Sequence, residues 1–384
     1  MDFLKTALAE LKEKNLYRSL KTIENISGKY FSTEGKKFLH FSSNNYLGLA
    51  EHPKLKTAAI KAIEEFGFGA GASRLISGNT KLHDQLEKKI AEFKNKAAAI
   101  VFSTGYMANL GIISALLGPE DAVVIDRLIH ASIIDACRLS RAKMFVYAHC
   151  DLIQLEKVLQ RTEKFRRRLV ITESIFSMDG DIAPLKEIAE LTRRYQALLM
   201  VDEAHAVGVW GKNGRGIAEA QGVEDQLDIV MGTLSKALGC LGGYVTGSAE
   251  LIDFLRNKSR SFIYTTGLPA ACAAASLAAL EIIETEPQRR EGLLVKAKYL
   301  RDKLKEAGWD TGNSQTQIIP LIVGEEKKTL QLASFLSEEG IFVPAIRPPT
   351  VEAGKARLRI SLMSSHTQED LDRLLELLGK FKKN

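Results

Sequence analysis

The sequence predicts an α/β protein in which helices flank a mostly parallel sheet, followed by a smaller α+β domain. From about residue 80, short apolar segments alternate with amphipathic helical segments, as parallel strands buried on both faces require. From about residue 285, long amphipathic helices accompany the strand-like segments QIIPLIV, GIFVPAI and ARLRISL. We therefore predict an N-terminal helix and extended segment (1–45), a large domain (46–284) and a small C-terminal domain (285–384).

The elements of the large domain follow from apolar runs and helical spacing. Five segments are predicted to be strands: AAAIVFS, AVVID, RLVITES, ALLMVDE and LDIVMGT. Helices are predicted between them over GYMANLGIISALLG, HASIIDACRL and APLKEIAELTRRY, and another over MDFLKTALAELKEKNLYRSL at the start of the chain. The Ala-rich segment LPAACAAASLAALEII predicts a buried helix that is too short to span a bilayer.

The amino-acid composition excludes several classes of protein. The chain has 384 residues, of which 45% are hydrophobic and 26% charged, and these values are typical of a globular protein. Its net charge of +6 favours an acidic partner but falls short of a nucleic-acid-binding signature. Four cysteines without CxxC spacing indicate reduced thiols and no metal site. With no signal-peptide core near Met1, we expect a cytoplasmic protein without a membrane segment.

Polar and titratable residues collect directly after the predicted strands. They occupy 103–106, 126–130, 173–177, 202–205 and 233–236. In open parallel sheets, ligands bind beyond the carboxyl ends of the strands. The sequence therefore predicts a functional site at this edge of the sheet.

Two segments resemble nucleotide-binding motifs, but each lacks a sequence feature that such a site requires. VDEAHAVG contains the D-E-A-H string of some ATPases, but no G-K-[ST] phosphate loop occurs anywhere in the chain. GFGAGA has alternate glycines without the dinucleotide-binding spacing and without a preceding strand. Neither an ATPase nor a dinucleotide-binding domain is expected.

Lys236 is the most unusual of the strand-end residues. It lies among small residues in MGTLSKALGCLGGYVTG, and burial favours the neutral, nucleophilic amine of a lysine. Taken alone, Asp202 would be interpreted as a helix cap and His205 as a structural histidine of a loop. Together with Lys236 they suggest pyridoxal phosphate, which pairs a lysine Schiff base with a carboxylate at its ring nitrogen. Backbone N–H groups in STGYMAN and the Thr233 hydroxyl suit its phosphate, and His130 suits its ring.

Longer motifs carry a family resemblance over essentially the whole chain. TLSKALGCLGG, VDEAHAVGVWGKNGRG, ESIFSMDGDIAPL, DRLIHASIIDA, SSNNYLGLA and RPPTVEAGKARLRISLMSSHT resemble the α-oxoamine synthases, which are fold-type I pyridoxal-phosphate enzymes. The resemblance implies a homodimeric acyltransferase that condenses an amino acid with an acyl thioester and releases carbon dioxide. A cofactor-free acyl-carrier-binding scaffold on the same fold is the alternative from another class.

Within the family, DRLIHAS, GNSQTQIIP and RPPTV most resemble the branch that condenses L-alanine with pimeloyl-CoA or pimeloyl-acyl-carrier protein. Branches that use glycine with a short acyl-CoA, or serine with a long acyl thioester, remain open. TGLPA departs from the family pattern, in which many relatives have two prolines.

The resemblance also implies roles for single residues. It makes Lys236 the Schiff-base lysine, Asp202 the partner of the ring nitrogen and His130 the stacking residue, all three catalytic. Cofactor contacts are implied for Gly105, Tyr106, His130, Ser177, Asp202, His205, Thr233 and Lys236, with Thr265 or Thr266 reaching in from a second subunit. Substrate contacts are implied for Arg18, Asn45, His130, Arg347, Thr350 and Arg359, of which Arg359 would hold the amino-acid carboxylate.

Overall fold

The described residues, 1–14 and 16–383 of a computed structural model, contain fourteen strands and fourteen α-helices. The strands are β1 (Asn25–Ser27), β2 (Tyr30–Thr33), β3 (Lys36–His40), β4 (Ala98–Phe102), β5 (Ala122–Asp126), β6 (Lys143–Tyr147), β7 (Arg168–Glu173), β8 (Leu198–Asp202), β9 (Ile229–Thr233), β10 (Gly243–Gly247), β11 (Ile318–Gly324), β12 (Ile341–Phe342), β13 (Ala345–Ile346) and β14 (Ala356–Ser361). The helices are α1 (Asp2–Glu13), α2 (Pro53–Phe66), α3 (Lys81–Phe93), α4 (Gly105–Leu116), α5 (Ala131–Ser140), α6 (Leu152–Thr162), α7 (Leu185–Arg194), α8 (Ile217–Ala220), α9 (Ala249–Lys258), α10 (Arg260–Ile263), α11 (Ala270–Thr285), α12 (Gln288–Glu306), α13 (Glu326–Glu338) and α14 (Gln368–Lys383). Within the described part of the chain, no helix is both long and apolar enough to cross a membrane.

The chain divides into two units. The larger comprises Asn44–Ser177 and Asp181–Leu294, and the smaller comprises Met1–Ser43, Met178–Gly180 and Val295–Asn384. The larger unit contains a seven-stranded sheet of order β4-β10-β9-β8-β7-β5-β6, in which β10 alone is antiparallel to its neighbours. Apolar residues of its strands pack with residues of α4, α5, α9 and α10 in one buried cluster. The predicted fold class is confirmed.

Two strands of this sheet were not predicted. β6 carries the apolar run MFVY, which the prediction passed over, and the strand is largely exposed. β10, the antiparallel strand, is short and bounded by glycines. A Cβ at Gly243 would lie 2.6 Å from the Cα of Gly105, so only glycine permits this approach of β10 to the start of α4.

The smaller unit contains one sheet of order β1-β2-β3-β12 and another of order β11-β14-β13. The prediction of one strand over GIFVPAI is wrong, because the segment divides between these two sheets. β12 pairs with β3 in parallel, whereas β13 pairs with β14 in antiparallel fashion. Pro344 lies between them and has no N–H to donate to either sheet.

A charged cluster lies beyond the carboxyl ends of β5 and β6 in the larger unit. The His149 imidazole lies between two carboxylates, with Nδ1 3.0 Å from Asp126 Oδ1 and Nε2 2.6 Å from Asp181 Oδ2. Burial opposes protonation of His149, but hydrogen bonds to Asp126 and Asp181 outweigh it and raise the pKa of His149 to about 12. Asp126 also accepts the backbone N–H of Leu128 at 2.8 Å. Charged His149 therefore holds together the loops that follow β5 and β7.

We expect the stabilising effect of His149 to decline as the pH rises. The pKa of His149 is higher in the folded than in the unfolded chain, where it is about 6.5. Its contribution is therefore complete below about pH 6.5 and is lost progressively towards pH 12. Urea unfolding of the cofactor-free protein should show a free-energy gap between wild type and His149→Gln that is roughly 3 kcal/mol larger at pH 6 than at pH 9. An equal gap at the two pH values would contradict the assignment of charge.

Candidate active site

Lys236 lies three residues after β9, where the sequence places the nucleophile. Its Nζ is 2.9 Å from Nε2 of His205, whose Nδ1 is 2.7 Å from the Tyr46 hydroxyl. Tyr46 donates to the Asn44 side-chain oxygen at 3.1 Å. Because the proton of Tyr46 is directed to Asn44, His205 donates from Nδ1 and accepts from Lys236 at Nε2. A directed chain of hydrogen bonds thus holds the amine of Lys236.

A tight turn fixes the backbone around Lys236. The N–H of Gly239 donates to the carbonyl of Lys236 at 2.9 Å, and Gly239 has φ +67°. A Cβ at Gly239 would lie 2.4 Å from the backbone nitrogen of Ala50, so this turn packs directly on the segment that follows SSNNYLGL. In that segment the Asn45 side-chain oxygen accepts the N–H of Ala50 at 3.2 Å. Asn45, the predicted substrate contact, therefore also shapes this loop.

Asp202 ends β8 and is buried. Its Oδ1 accepts the N–H of Ala204 at 2.9 Å, and its Oδ2 accepts from Nδ2 of Asn109 at 3.1 Å. Both donors stabilise the ionised carboxylate. Asn109, which lies on α4, was not singled out from the sequence. A polar side chain in an otherwise apolar helix was the signal that could have found it.

Glu173 is a second buried carboxyl next to Asp202. The two residues are partners in the register of β7 and β8, and Glu173 is 3% exposed. Burial raises the pKa of Glu173 well above its ordinary value, and the charge of Asp202 raises it further. Glu173 therefore keeps its proton to a higher pH than an ordinary glutamate, and its Oε1 has no hydrogen-bond partner among the described residues.

His130 begins α5 as its N-cap residue and remains solvent-accessible. Its Nδ1 accepts the N–H of Ser132 at 3.2 Å and lies 2.7 Å from the Ser132 hydroxyl. That hydroxyl accepts from Nδ2 of Asn109 at 2.9 Å. Asn109 therefore connects His130 with Asp202.

The first turn of α4 has the features of an anion cup. The Thr104 hydroxyl accepts the N–H of Met107 at 3.1 Å, which leaves the N–H groups of Gly105 and Tyr106 without an acceptor among the residues that the structure describes. A Cβ at Gly105 would approach Met231 Cε to 3.0 Å, so glycine lets the helix start pack closely on β9. Free N–H groups at a helix N-terminus bind phosphate without further charge.

The hydroxyl groups predicted to contact the cofactor differ in whether they are already hydrogen-bonded within the protein. Thr233 is buried and donates to the carbonyl of Gly242 at 2.9 Å, so it reaches an anion only by giving up that bond. Exposed Ser235, which the sequence analysis did not single out, places its hydroxyl 2.7 Å from that of Thr233. The carbonyl of Thr266 accepts from Ser103 of the same chain at 3.1 Å. The contributions of Thr265 or Thr266 to a second subunit, and of half-buried Ser177, stay predictions.

The other predicted substrate contacts belong to the smaller unit. Arg359 is a buried residue of β14 and donates to the Ser361 hydroxyl at 2.8 Å. Arg18 is 3.5 Å from the hydroxyl of Thr350, whose N–H donates to the carbonyl of Arg347 at 3.1 Å. Their contacts with a substrate stay predictions.

The residues of the larger unit fit pyridoxal phosphate. An amine (Lys236), an ionised carboxylate (Asp202) and an open helix start at Gly105 all follow strands of one sheet. These groups match the three polar parts of that cofactor, namely its aldehyde, its ring nitrogen and its phosphate.

Comparisons with known proteins agree. A model of class I and II aminotransferases matches residues 36–378. An 8-amino-7-oxononanoate synthase from Thermoanaerobacter pseudethanolicus is 48% identical over 100% of this chain and 97% of its own, and one from Geobacter metallireducens is 50% identical over 98% and 97%. A serine palmitoyltransferase from S. paucimobilis, solved with a bound adduct of pyridoxal phosphate and myriocin, has a TM-score of 0.94 and 33% identity over 100% and 97%. The chain therefore belongs to the class I and II aminotransferase family, in its α-oxoamine synthase branch, and its cofactor is pyridoxal 5′-phosphate.

Proposed function

We propose that this chain catalyses the decarboxylative condensation of L-alanine with pimeloyl-CoA or pimeloyl-acyl-carrier protein. The products are 8-amino-7-oxononanoate, carbon dioxide and the free thiol carrier, in biotin biosynthesis. The observation that carries the proposal is full-length identity of 48–50% to relatives that bear this name. The geometry supports the chemistry, because an amine held by His205 lies in the same unit as an ionised carboxylate.

Lys236 and Asp202 perform the central steps in this proposal. When bound, pyridoxal phosphate takes up the amino group of an amino acid at its aldehyde and delocalises the charge that develops at the α-carbon. Lys236 Nζ would hold the cofactor covalently, and its free amine would remove the α-proton of alanine as general base. Asp202, whose oxygens accept from Asn109 and the N–H of Ala204, would pair with the ring nitrogen.

The remaining residues bind and orient. The N–H groups of Gly105 and Tyr106 would hold the phosphate, assisted by the exposed hydroxyl of Ser235. His130 would lie against the ring. The guanidinium of Arg359 is suited to an amino-acid carboxylate, because a planar guanidinium pairs with a carboxylate through two hydrogen bonds.

A second subunit completes the protein in this proposal. One group of strongly exposed apolar side chains in the larger unit consists of Phe68 (82%), Ile76 (81%) and Tyr264 (71%). Their segments lie together, since the N–H of Gly267 donates to the carbonyl of Ala72 at 2.9 Å. Exposed apolar groups of this size mark an interaction surface. We assign it to a homodimer, and the four free cysteines fit a cytoplasmic location.

A second candidate is condensation of serine with a long acyl thioester. The solved structure described above is a serine palmitoyltransferase and has a TM-score of 0.94 to this chain. Its lower identity of 33% places this candidate after the first.

Borohydride reduction of the protein with bound pyridoxal phosphate should attach a stable phosphopyridoxyl group to Lys236. Peptide mapping by mass spectrometry locates the group. Lys236→Ala should lose it completely, whereas Lys96→Met, which removes another half-buried lysine, should retain it. A group on any other residue would overturn the role of Lys236.

Thiol release tests the substrates. We expect L-alanine with a pimeloyl thioester to exceed glycine or L-serine by about tenfold or more in kcat/KM, because one methyl group in a fitted pocket gives about this discrimination. The panel pairs three amino acids with acetyl, pimeloyl and palmitoyl thioesters, each on CoA and, for pimeloyl, also on carrier protein. Preference for serine with palmitoyl-CoA would establish the second candidate instead.

Sedimentation velocity tests the subunit contact. Ile76→Glu places a charge on the proposed interface and should shift the protein from dimer to monomer. Ile153→Glu is the matched control, because Ile153 is 71% exposed on α6, outside that surface. A dimer that tolerates Ile76→Glu would exclude this surface.

A further inference from the structure

The hydrogen bonds around His130 allow its ring only one tautomer. We propose that Asn109 and Ser132 are positioning residues that lock His130 as the neutral tautomer with its proton on Nε2. His130 is then a fixed hydrogen-bond donor of the site and not a base. The inference rests on the proposed function only in placing His130 beside the ligands.

The backbone of α5 supplies the first reason. The N–H of Ser132 is 3.2 Å from Nδ1 of His130 and can only donate. Nδ1 must therefore carry a lone pair, as the acceptor of an N-cap does. α5 spans Ala131–Ser140, and the positive end of its dipole disfavours an imidazolium at its start.

Asn109 supplies the second reason. Its side-chain NH₂ has two hydrogens and two acceptors, Asp202 Oδ2 at 3.1 Å and the Ser132 hydroxyl at 2.9 Å. The reversed amide would set its oxygen against the carboxylate of Asp202, so the orientation is fixed. Since Asn109 donates to the Ser132 hydroxyl, that hydroxyl directs its own proton to Nδ1 of His130, 2.7 Å away. Two donors therefore converge on Nδ1.

The charges around His130 act in both directions. Although the side chain is solvent-accessible, desolvation by the surrounding protein lowers the pKa of His130 below its ordinary value. Asp202 and Asp135 oppose this effect, and Lys236 adds to it. The ring is consequently neutral at pH 7, in agreement with the hydrogen bonds.

The consequence for the reaction is a division of roles. With Nδ1 occupied by two donors, His130 has no free lone pair to take a proton from a substrate. Its Nε2–H can only donate, to an acceptor oxygen of a bound ligand. The base of the site is then Lys236, whose amine is hydrogen-bonded to His205.

Long-range ¹H–¹⁵N NMR of the cofactor-free protein, labelled in histidine, tests the inference without any turnover. The His130 signals are assigned by their loss in His130→Gln. We expect the His130 ring to show one protonated and one unprotonated nitrogen. The couplings should identify the protonated nitrogen as Nε2. In Ser132→Ala and Asn109→Leu the two shifts should move towards each other as the second tautomer becomes populated. Ser132→Thr, which keeps the hydroxyl, should restore the wild-type shifts.

Ser140→Ala is the matched control, because Ser140 is a buried serine of the same helix that bonds to the carbonyl of Cys137. It should leave the His130 shifts unchanged. A proton on Nδ1 in the wild type, or averaged shifts there, would overturn the inference whatever the activity. A locked Nε2–H in a protein that releases no thiol from alanine and pimeloyl-CoA would overturn the proposed function alone.

Discussion

The charge on Asp202 is the constraint on which the rest of the site depends. A buried carboxylate is costly unless hydrogen bonds replace its water. Asn109 and the N–H of Ala204 supply them, one to each oxygen. Burial and the charge of Asp202 raise the pKa of Glu173, its neighbour on the next strand. The sheet register thus places the two carboxyls side by side, and the donors to Asp202 distinguish them.

Close backbone approaches fix the geometry around that charge. Gly243 lets β10 reach the first turn of α4, and Gly239 lets the turn after Lys236 pack on the backbone at Ala50. A Cβ at either glycine would lie within 2.6 Å of the facing backbone, so the two segments would have to move apart. The antiparallel strand β10 therefore brings the anion cup at Gly105 next to the strand that ends at Thr233.

The sequence allowed the fold class and five strands of the larger sheet to be predicted, because buried parallel strands leave continuous apolar runs. β6 does carry an apolar run, MFVY, which was overlooked, although the strand is largely exposed, and glycine-bounded β10 looks like a loop. Lys236, Asp202 and His205 were predicted because strand ends mark ligand sites. Asn109 and Tyr46 were missed, since their partners are 93 and 159 residues away in the chain. Only the fold reveals which polar side chain meets which.

His130 and His205 show how one residue type takes two opposite roles. The proton of Tyr46 is directed to Asn44, so His205 donates from Nδ1 and offers the lone pair of Nε2 to Lys236. At His130, the N–H and the hydroxyl of Ser132, the latter oriented by Asn109, both donate to Nδ1, so the proton belongs on Nε2. In neither case does the histidine itself determine its tautomer. A tyrosine proton sets one, and the two donors of Ser132 together set the other, so the site contains one histidine that accepts and one that donates.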